Sequence, residues 1–255
     1  MIPLVADVTS KDDLKRIASQ VQKDQGYINL LSNVLLLTSL THLVANSGIG
    51  GPRMNPEKPK PTDDMAAIQK ALWDIEPEAF QSSFMTNVTG VYFTTIAFLP
   101  LLHAGNEKML EKTGYSSQVV VMSSIAGYSK QIQSSIAYSA SKAAATHLAR
   151  NLSTYFVHLK IRVNVIVPGL FPSEMTGASK SDEKGHISME GKERLWDDVP
   201  LERAGLEREI AGVGMFLARY ISWLFISNSS PAGGYLNGAV IVADGGRLQV
   251  RPSVF

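Results

Sequence analysis

The chain has 255 residues, of which 45% are hydrophobic and 18% charged, so it can bury a sizeable core. Its 24 Lys and Arg residues nearly balance 23 Asp and Glu, with no run of like charge, and we expect neither a nucleic acid nor a membrane partner. The absence of cysteine excludes disulfides and thiolate sites. The sequence predicts a single domain over residues 1–255 with a small-molecule partner.

Nothing in the sequence points to export. The opening "MIPLVADVTS" lacks the features of a signal peptide, and the lack of cysteine fits a reducing compartment. The apolar stretch "IAGVGMFLARYISWLFIS" carries Arg219 at its middle, where a charge would cost about 2.5–3.5 kcal/mol in a bilayer. We therefore expect a cytoplasmic protein.

Strand and helix patterns alternate along the chain. "PLVADV" predicts a strand that ends at Asp7, and "SKDDLKRIASQVQKDQG" predicts a helix with a capping serine and a terminal glycine. "HLVANSG" predicts a second strand with a glycine turn, and "AFQSSFMTNVTGVYFTTIAFLPLLH" predicts a long helix.

The second half continues the alternation. "SQVVVMSS" has the character of a buried strand, and the helix "SIAYSASKAAATHLARNLSTYFV" separates it from the strands "IRVNVIVPG" and "NGAVIVADGG". Strands separated by helices predict an α/β fold, in which a parallel sheet has helices on both faces and binds ligands at the carboxyl ends of its strands.

One helix carries a possible acid and base. Tyr138 and Lys142 are four residues apart and would share a helix face. An ammonium about 4 Å from the phenol would lower its pKa by up to about three units, enough for proton exchange near neutral pH. The spacing alone favours an ordinary solvated helix face, where Tyr and Lys often stand four residues apart, so the surrounding motifs must decide.

Those motifs are specific. Besides "YSASK", the sequence contains five further motifs in order along the predicted fold. They are "ANSG" after a strand, "FMTNVTG" in a helix, "VVVMSSIAG" and "IRVNVIVPG" at two strand ends, and "VADGG" near the C-terminus. Together they closely resemble the short-chain dehydrogenase/reductase family, whose members transfer hydride between NAD or NADP and a carbonyl or alcohol. The resemblance runs from Leu4 to about Leu248 and implies a Rossmann-like doubly wound parallel sheet in three layers.

The resemblance also implies a catalytic tetrad. Tyr138 would exchange the proton with the substrate oxygen, and Lys142 would lower the pKa of Tyr138 and hold the nicotinamide ribose. Ser124 would bind the reacting oxygen, with Ser123 as the alternative that the family spacing disfavours. Asn87 would hold a water molecule beside the lysine.

Cofactor contacts follow from the same resemblance. Asp7 would contact the adenine, although a simple helix cap also explains this residue. The other contacts would come from the turn "ANSG", where the family more often has alanine at the serine, and from "PGLFPSEMT": Asn46, Ser47, Gly48, Pro168, Gly169 and Thr176. Tyr138 and Lys142 would touch the cofactor as well.

The sequence departs from the family pattern in three places. Members open with a strand, a glycine-rich turn and a helix that holds the pyrophosphate, whereas this sequence opens at what corresponds to the third strand. We therefore expect a sheet without the first two strands, and the preference between NAD and NADP is unreadable. Deleting residues 32–43 restores the pattern "GYINLLVANSG", and removing a stretch from Arg219 does the same near the end. An imperfect gene model explains all three departures, with genuine elaboration as the alternative.

Three functions are compatible with these observations. The first is an NAD(P)-dependent oxidoreductase for a small carbonyl or secondary alcohol, and the second is a cofactor-free interaction protein of the same fold. A metal-dependent hydrolase is disfavoured because the five histidines show no metal-ligand spacing. By analogy with the family, we expect a homodimer or homotetramer that pairs through the helices of Asn87 and Tyr138, although a core stripe also explains their apolar residues.

Overall fold

A computed structural model of the chain describes residues 4–26, 30–31, 44–52, 63–114, 116–131, 135–173, 175, 198–218 and 232–254. Its α-helices are α1 (Lys11–Asp24), α2 (Met65–Trp73), α3 (Pro77–Phe84), α4 (Val91–Thr113), α5 (Ile136–Tyr155), α6 (Glu207–Ala218) and α7 (Arg247–Val250). A π-helical turn, Met85–Gly90, joins α3 to α4. The strands are β1 (Leu30–Leu31), β2 (Val44–Ala45), β3 (Gln118–Met122), β4 (Arg162–Pro168) and β5 (Val240–Ala243).

All described strand pairs are parallel. β3 pairs with β4, which in turn pairs with β5, while β1 and β2 both lie on the other edge of β3. Leu31 lies opposite Val119 and Val44 lies opposite Val120, so β1 and β2 occupy consecutive stretches of one edge. β1 and β2 belong to the two parts of the family pattern "GYINLLVANSG" that the sequence shows when residues 32–43 are removed.

Helices cover both faces of the sheet. Val119 and Val121 belong to the larger core cluster, to which α1, α4 and α5 contribute Ile17, Phe98 and Leu152. Val120, between them, packs instead with residues of α6 on the other face. This alternation along β3 confirms the predicted three-layer α/β fold, because successive side chains of a strand point to opposite faces.

Local sequence signals set several helix ends. Ser10 caps α1 and accepts a hydrogen bond from the Asp13 amide at 3.2 Å, and Gly26 follows this helix with a φ of +77°. Ser135 caps α5 in the same way. The predicted strand before α1 was wrong: residues 4–7 are in no strand, because no described strand lies beside them to accept ladder hydrogen bonds.

The stretch Pro77–Lys108 is long and apolar enough to cross a membrane by length and composition, yet its Phe98, Leu101 and Leu102 pack in the core.

The residues on either side of 219–231 lie close together in space. Gly233 lies directly against the Phe216 carbonyl at the end of α6. Both predicted insertions themselves lie outside the described residues.

Candidate active site

α5 places Tyr138 and Lys142 side by side in the interior. Tyr138 is 9% exposed and Lys142 is 4% exposed, and the lysine Nζ lies 5.8 Å from the centre of the tyrosine ring. A solvated helix face would leave both side chains in water. Burial of this pair therefore excludes that alternative and requires a structural or chemical reason for a buried ammonium.

The two serines after β3 have different surroundings. Ser124 caps a short 3₁₀ turn, accepts a hydrogen bond from the Ala126 amide at 3.2 Å, and its side chain hydrogen-bonds the phenol of Tyr138. Ser123 donates instead to the Lys142 carbonyl at 2.9 Å and accepts from the Thr146 hydroxyl at 2.7 Å. Ser123 thus anchors α5 to the sheet, and Ser124 faces the phenol.

The ammonium of Lys142 reaches the end of β3. Its Nζ donates to the Met122 carbonyl at 3.0 Å, and burial lowers the pKa of Lys142 from 10.5 to about 8. Sequence reasoning missed the role of Met122, because the acceptor is a backbone atom that every residue carries. The lysine is charged at neutral pH and close to its titration point.

The pKa of Tyr138 departs from the sequence-based expectation. We expected the ammonium to lower it, but burial raises it above its ordinary value of 10.0, and the hydrogen bond with Ser124 offsets only part of this rise. The reason is physical: desolvation disfavours the phenolate, and the charge of Lys142 does not offset this cost. The phenol is therefore protonated at neutral pH.

Asn87 lies in the π-helical turn and is 1% exposed. Its Oδ1 accepts from the Ile49 amide at 3.0 Å, and its Nδ2 donates to the Ile49 carbonyl at 3.1 Å and to Ser141 Oγ at 2.9 Å. Both amide hydrogens are therefore committed, so the side chain fastens a turn and a helix. A π-turn is itself a frequent feature of functional sites.

The turn after β2 packs against this cluster. A Cβ at Gly48 would lie 3.1 Å from Asn87 Oδ1 and 3.2 Å from Lys142 Nζ, a separation tighter than side chains normally accept. Glycine at this position therefore lets the backbone approach the ammonium. Asn46 and Ser47, the other predicted contacts of this turn, are exposed to solvent.

The loop after β4 begins at the same edge of the sheet. Pro168 is the last residue of β4, and the amide of Gly169 donates to the Ala243 carbonyl at 2.8 Å. A Cβ at Gly169 would lie 2.7 Å from the Cα of Asp244. The close approach of these two backbone segments therefore requires glycine. Thr176 lies outside the described residues.

Asp7 is an exposed residue in the turn before α1. Its carboxylate accepts from the amide of Thr9 at 2.8 Å and from its hydroxyl at 2.7 Å, and these bonds lower the pKa of Asp7. The adjacent Val8 packs at Gly90, where a Cβ would lie 3.0 Å from a methyl of Val8. The hydrogen bonds are those of a turn, and none of the described contacts joins Asp7 to the tetrad.

An apolar cavity of about 420 Å³ lies beside the start of α5. It is lined by residues of α2, α3 and the segment between them, and by the residue two positions before Tyr138: Leu72, Ile75, Pro77, Phe80, Gln81 and Ile136. Within the part of the chain that the structure describes, no three His, Asp or Glu residues gather as a metal site.

The amino-acid sequence is similar to those of known short-chain dehydrogenases. A sequence model of the short chain dehydrogenase family matches residues 1–184. The short-chain dehydrogenase/reductase PhomF of Diaporthe leptostromiformis is 40% identical over 256 residues, covering 100% of this chain and 77% of the relative. The short-chain dehydrogenase/reductase SAT3 of Stachybotrys chartarum is 36% identical over 268 residues, covering 100% and 88%.

Solved structures share the fold. The NADP complex of RhlG from Pseudomonas aeruginosa has a TM-score of 0.64 at 24% identity, with 95% of this chain and 75% of that chain covered. A putative short-chain alcohol dehydrogenase from Sinorhizobium meliloti has a TM-score of 0.66 at 24% identity, with 97% and 76% covered. From the matching family model, the two relatives and the fold, the chain belongs to the short-chain dehydrogenase/reductase family.

Proposed function

We propose that this protein is an NAD(P)-dependent oxidoreductase that transfers hydride between the nicotinamide and a small carbonyl or secondary alcohol, with Tyr138 as general acid and base. The observation that carries the proposal is the buried phenol of Tyr138, hydrogen-bonded to Ser124 and next to the ammonium of Lys142. Such a buried hydroxyl at the carboxyl edge of a parallel sheet suits proton transfer to a bound substrate.

The raised pKa of Tyr138 keeps the phenol protonated at neutral pH, which is the form that carbonyl reduction needs. A protonated phenol can donate to a carbonyl oxygen as negative charge develops there during reduction. Ser124, whose hydrogen bond lowers the pKa of Tyr138, stabilises the phenolate that remains. Oxidation of an alcohol needs the phenolate first, so we expect it to be faster at alkaline pH.

The residues at this edge fit the nicotinamide-ribose end of the cofactor. Lys142 and Tyr138 offer hydrogen-bond donors for ribose hydroxyls, and the described acceptor of the lysine, Met122 O, occupies one of its three hydrogens. Gly48 and Gly169 keep the backbone free of side chains on either side. When bound, NAD or NADP supplies or accepts the hydride. The solved RhlG structure is a complex with NADP, which supports this assignment.

We also propose self-association through α4 and α5, as a homodimer or homotetramer. Three apolar side chains of the π-turn and α4 are partly exposed: Met85 (48%), Tyr92 (39%) and Ile96 (36%). An apolar stripe on a long helix is suited to pairing with a second copy. Light scattering of the purified protein measures the mass directly.

The test is a fluorescence titration of the purified chain with NADH and NADPH, followed by assays with small ketones and aldehydes. We expect Tyr138→Phe to weaken cofactor binding no more than about tenfold, because Lys142 still faces the ribose, and to lose at least about a hundredfold in turnover, because the proton donor is removed. Tyr155→Phe is the matched control, since Tyr155 is on the same helix and 81% exposed. Failure of the unaltered chain to bind either nucleotide would favour the interaction protein instead.

A further inference from the structure

Ser141 connects three parts of the site. It follows Tyr138 by one helical turn, precedes Lys142 directly, and is 0% exposed. Its hydroxyl donates to the Tyr138 carbonyl at 2.8 Å and accepts from the Asn87 side-chain amide at 2.9 Å. α5 is thereby tied to the helix that carries Asn87.

These bonds select one orientation of the Asn87 amide. The hydroxyl hydrogen of Ser141 is committed to Tyr138 O, so its oxygen can only accept, and only the NH₂ end of the amide can donate to it. With the NH₂ end fixed there, Oδ1 is left to accept from the Ile49 amide at 3.0 Å. If the amide were reversed, the NH₂ group of Asn87 would face the backbone N–H of Ile49, and two donors would meet without an acceptor.

The oriented amide in turn holds the turn after β2. Asn87 makes two hydrogen bonds with the backbone of Ile49, an arrangement similar to one step of a strand ladder. This contact holds Gly48 against Lys142, where a Cβ would be only 3.2 Å from Nζ. The position of this turn therefore depends on the orientation of the Asn87 amide.

We propose that Ser141 is a positioning residue that acts through Asn87 to hold the Gly48–Ile49 turn against Lys142. Its effect on the turn follows from the contacts alone, whereas its effect on cofactor affinity rests on the proposed function. Replacing Ser141 by alanine removes the acceptor for one buried amide hydrogen and one of the contacts that fix the amide orientation.

The experiment compares Ser141→Ala with Ser139→Ala in the full chain. Ser139 is the matched control: it lies on the same helix, and its buried hydroxyl has no partner among the described residues. Amide hydrogen exchange of Ile49, resolved by NMR, reports on the bond to Asn87 without any need for activity. We expect Ser141→Ala to accelerate this exchange about fivefold to tenfold, which corresponds to the loss of one hydrogen bond, and Ser139→Ala to leave it unchanged.

A double variant separates positioning from general loosening. In an Asn87→Ala background the Ile49 amide has already lost its acceptor, so Ser141→Ala should add less than about twofold. The side-chain NH₂ signals of Asn87 should shift in Ser141→Ala and not in Ser139→Ala. Equal acceleration throughout α5 and β3, or unchanged exchange at Ile49, overturns the proposal.

Titration with NADPH and NADH then tests the functional consequence. We expect Ser141→Ala to weaken binding severalfold. If the unaltered chain binds neither nucleotide, the proposed function fails, while the exchange of Ile49 still decides the role of Ser141.

Discussion

Leu31 and Val44 occupy consecutive places on one edge of the sheet, opposite Val119 and Val120, although residues 32–43 separate them in the chain. A strand needs no additional residues between consecutive places, so this segment has no role in the pairing that the structure describes. The register is compatible with the sequence-based hypothesis that residues 32–43 are an insertion in the family pattern.

Deletion of residues 32–43 should stabilise the protein. Joining Leu31 directly to Val44 removes the entropic cost of bringing the ends of this segment together, which is on the order of 2 kcal/mol of free energy. The deletion should therefore raise the thermal midpoint by about 5 °C. Calorimetry measures the change. A variant in which glycine and serine replace the segment at equal length is the control and should melt like the unaltered chain. A lower midpoint for the deletion would show that the segment contributes contacts of its own.

The buried Lys142 should make stability depend on pH. Burial lowers the pKa of its folded-state ammonium to about 8, while the unfolded lysine keeps about 10.5. Between these values the unfolded chain binds more protons than the folded chain, so the free energy of unfolding rises with pH. Below about pH 8 both states are protonated, and the cost of the buried charge is present in full.

Lys142→Met removes this dependence. The free energy of unfolding of the unaltered chain should rise by about 2 kcal/mol relative to the variant between about pH 8 and about pH 10. Urea titrations at several pH values measure both proteins, and the difference cancels the other titrating groups. Parallel pH profiles for the two proteins would contradict a lowered pKa of Lys142.

The two serines after β3 should separate chemistry from stability. Ser124→Ala removes a hydrogen bond that lowers the pKa of Tyr138 and the acceptor of the Ala126 amide, so this pKa should rise further and stability should fall by about 0.5–1 kcal/mol. Ser123→Ala removes bonds to Lys142 O and Thr146 Oγ1 and should cost about 1–2 kcal/mol of stability. Absorbance titration of the phenol and denaturant unfolding measure the two effects. The opposite assignment would make Ser123 the serine that faces the phenol.

Replacing two glycines by alanine should change the stability of the protein in opposite directions. A Cβ at Gly127 would lie 2.7 Å from the backbone nitrogen of Ala143, so Gly127→Ala must displace α5 and should destabilise by about 1–3 kcal/mol. Gly212 in α6 has no described atom within 4 Å of its hypothetical Cβ, and Gly212→Ala should stabilise by about 0.5–1 kcal/mol. Denaturant unfolding compares them, and equal effects would show that the close contact at Gly127 relaxes without cost.

Much of the architecture could be predicted from local patterns. The helix that begins after Ser10, the helix that begins after Ser135 and the buried strand "QVVVM" all carry their signals within a few neighbouring residues. The segment "PLVADV" has the same kind of pattern, yet residues 4–7 are in no strand. A strand is completed only by the hydrogen bonds of a neighbour, and the pattern cannot supply that neighbour.

By itself, the sequence determined which side chains could do the chemistry: the four-residue spacing of Tyr138 and Lys142, the serines at a strand end, and Asn87 in a helix. Only the tertiary structure decided how these groups behave. Burial raises the pKa of Tyr138 where a nearby charge was expected to lower it, and Ser141 and Ile49 take both ends of the Asn87 amide. The reason is that desolvation and hydrogen-bond partners depend on residues distant in the chain, which no local spacing records.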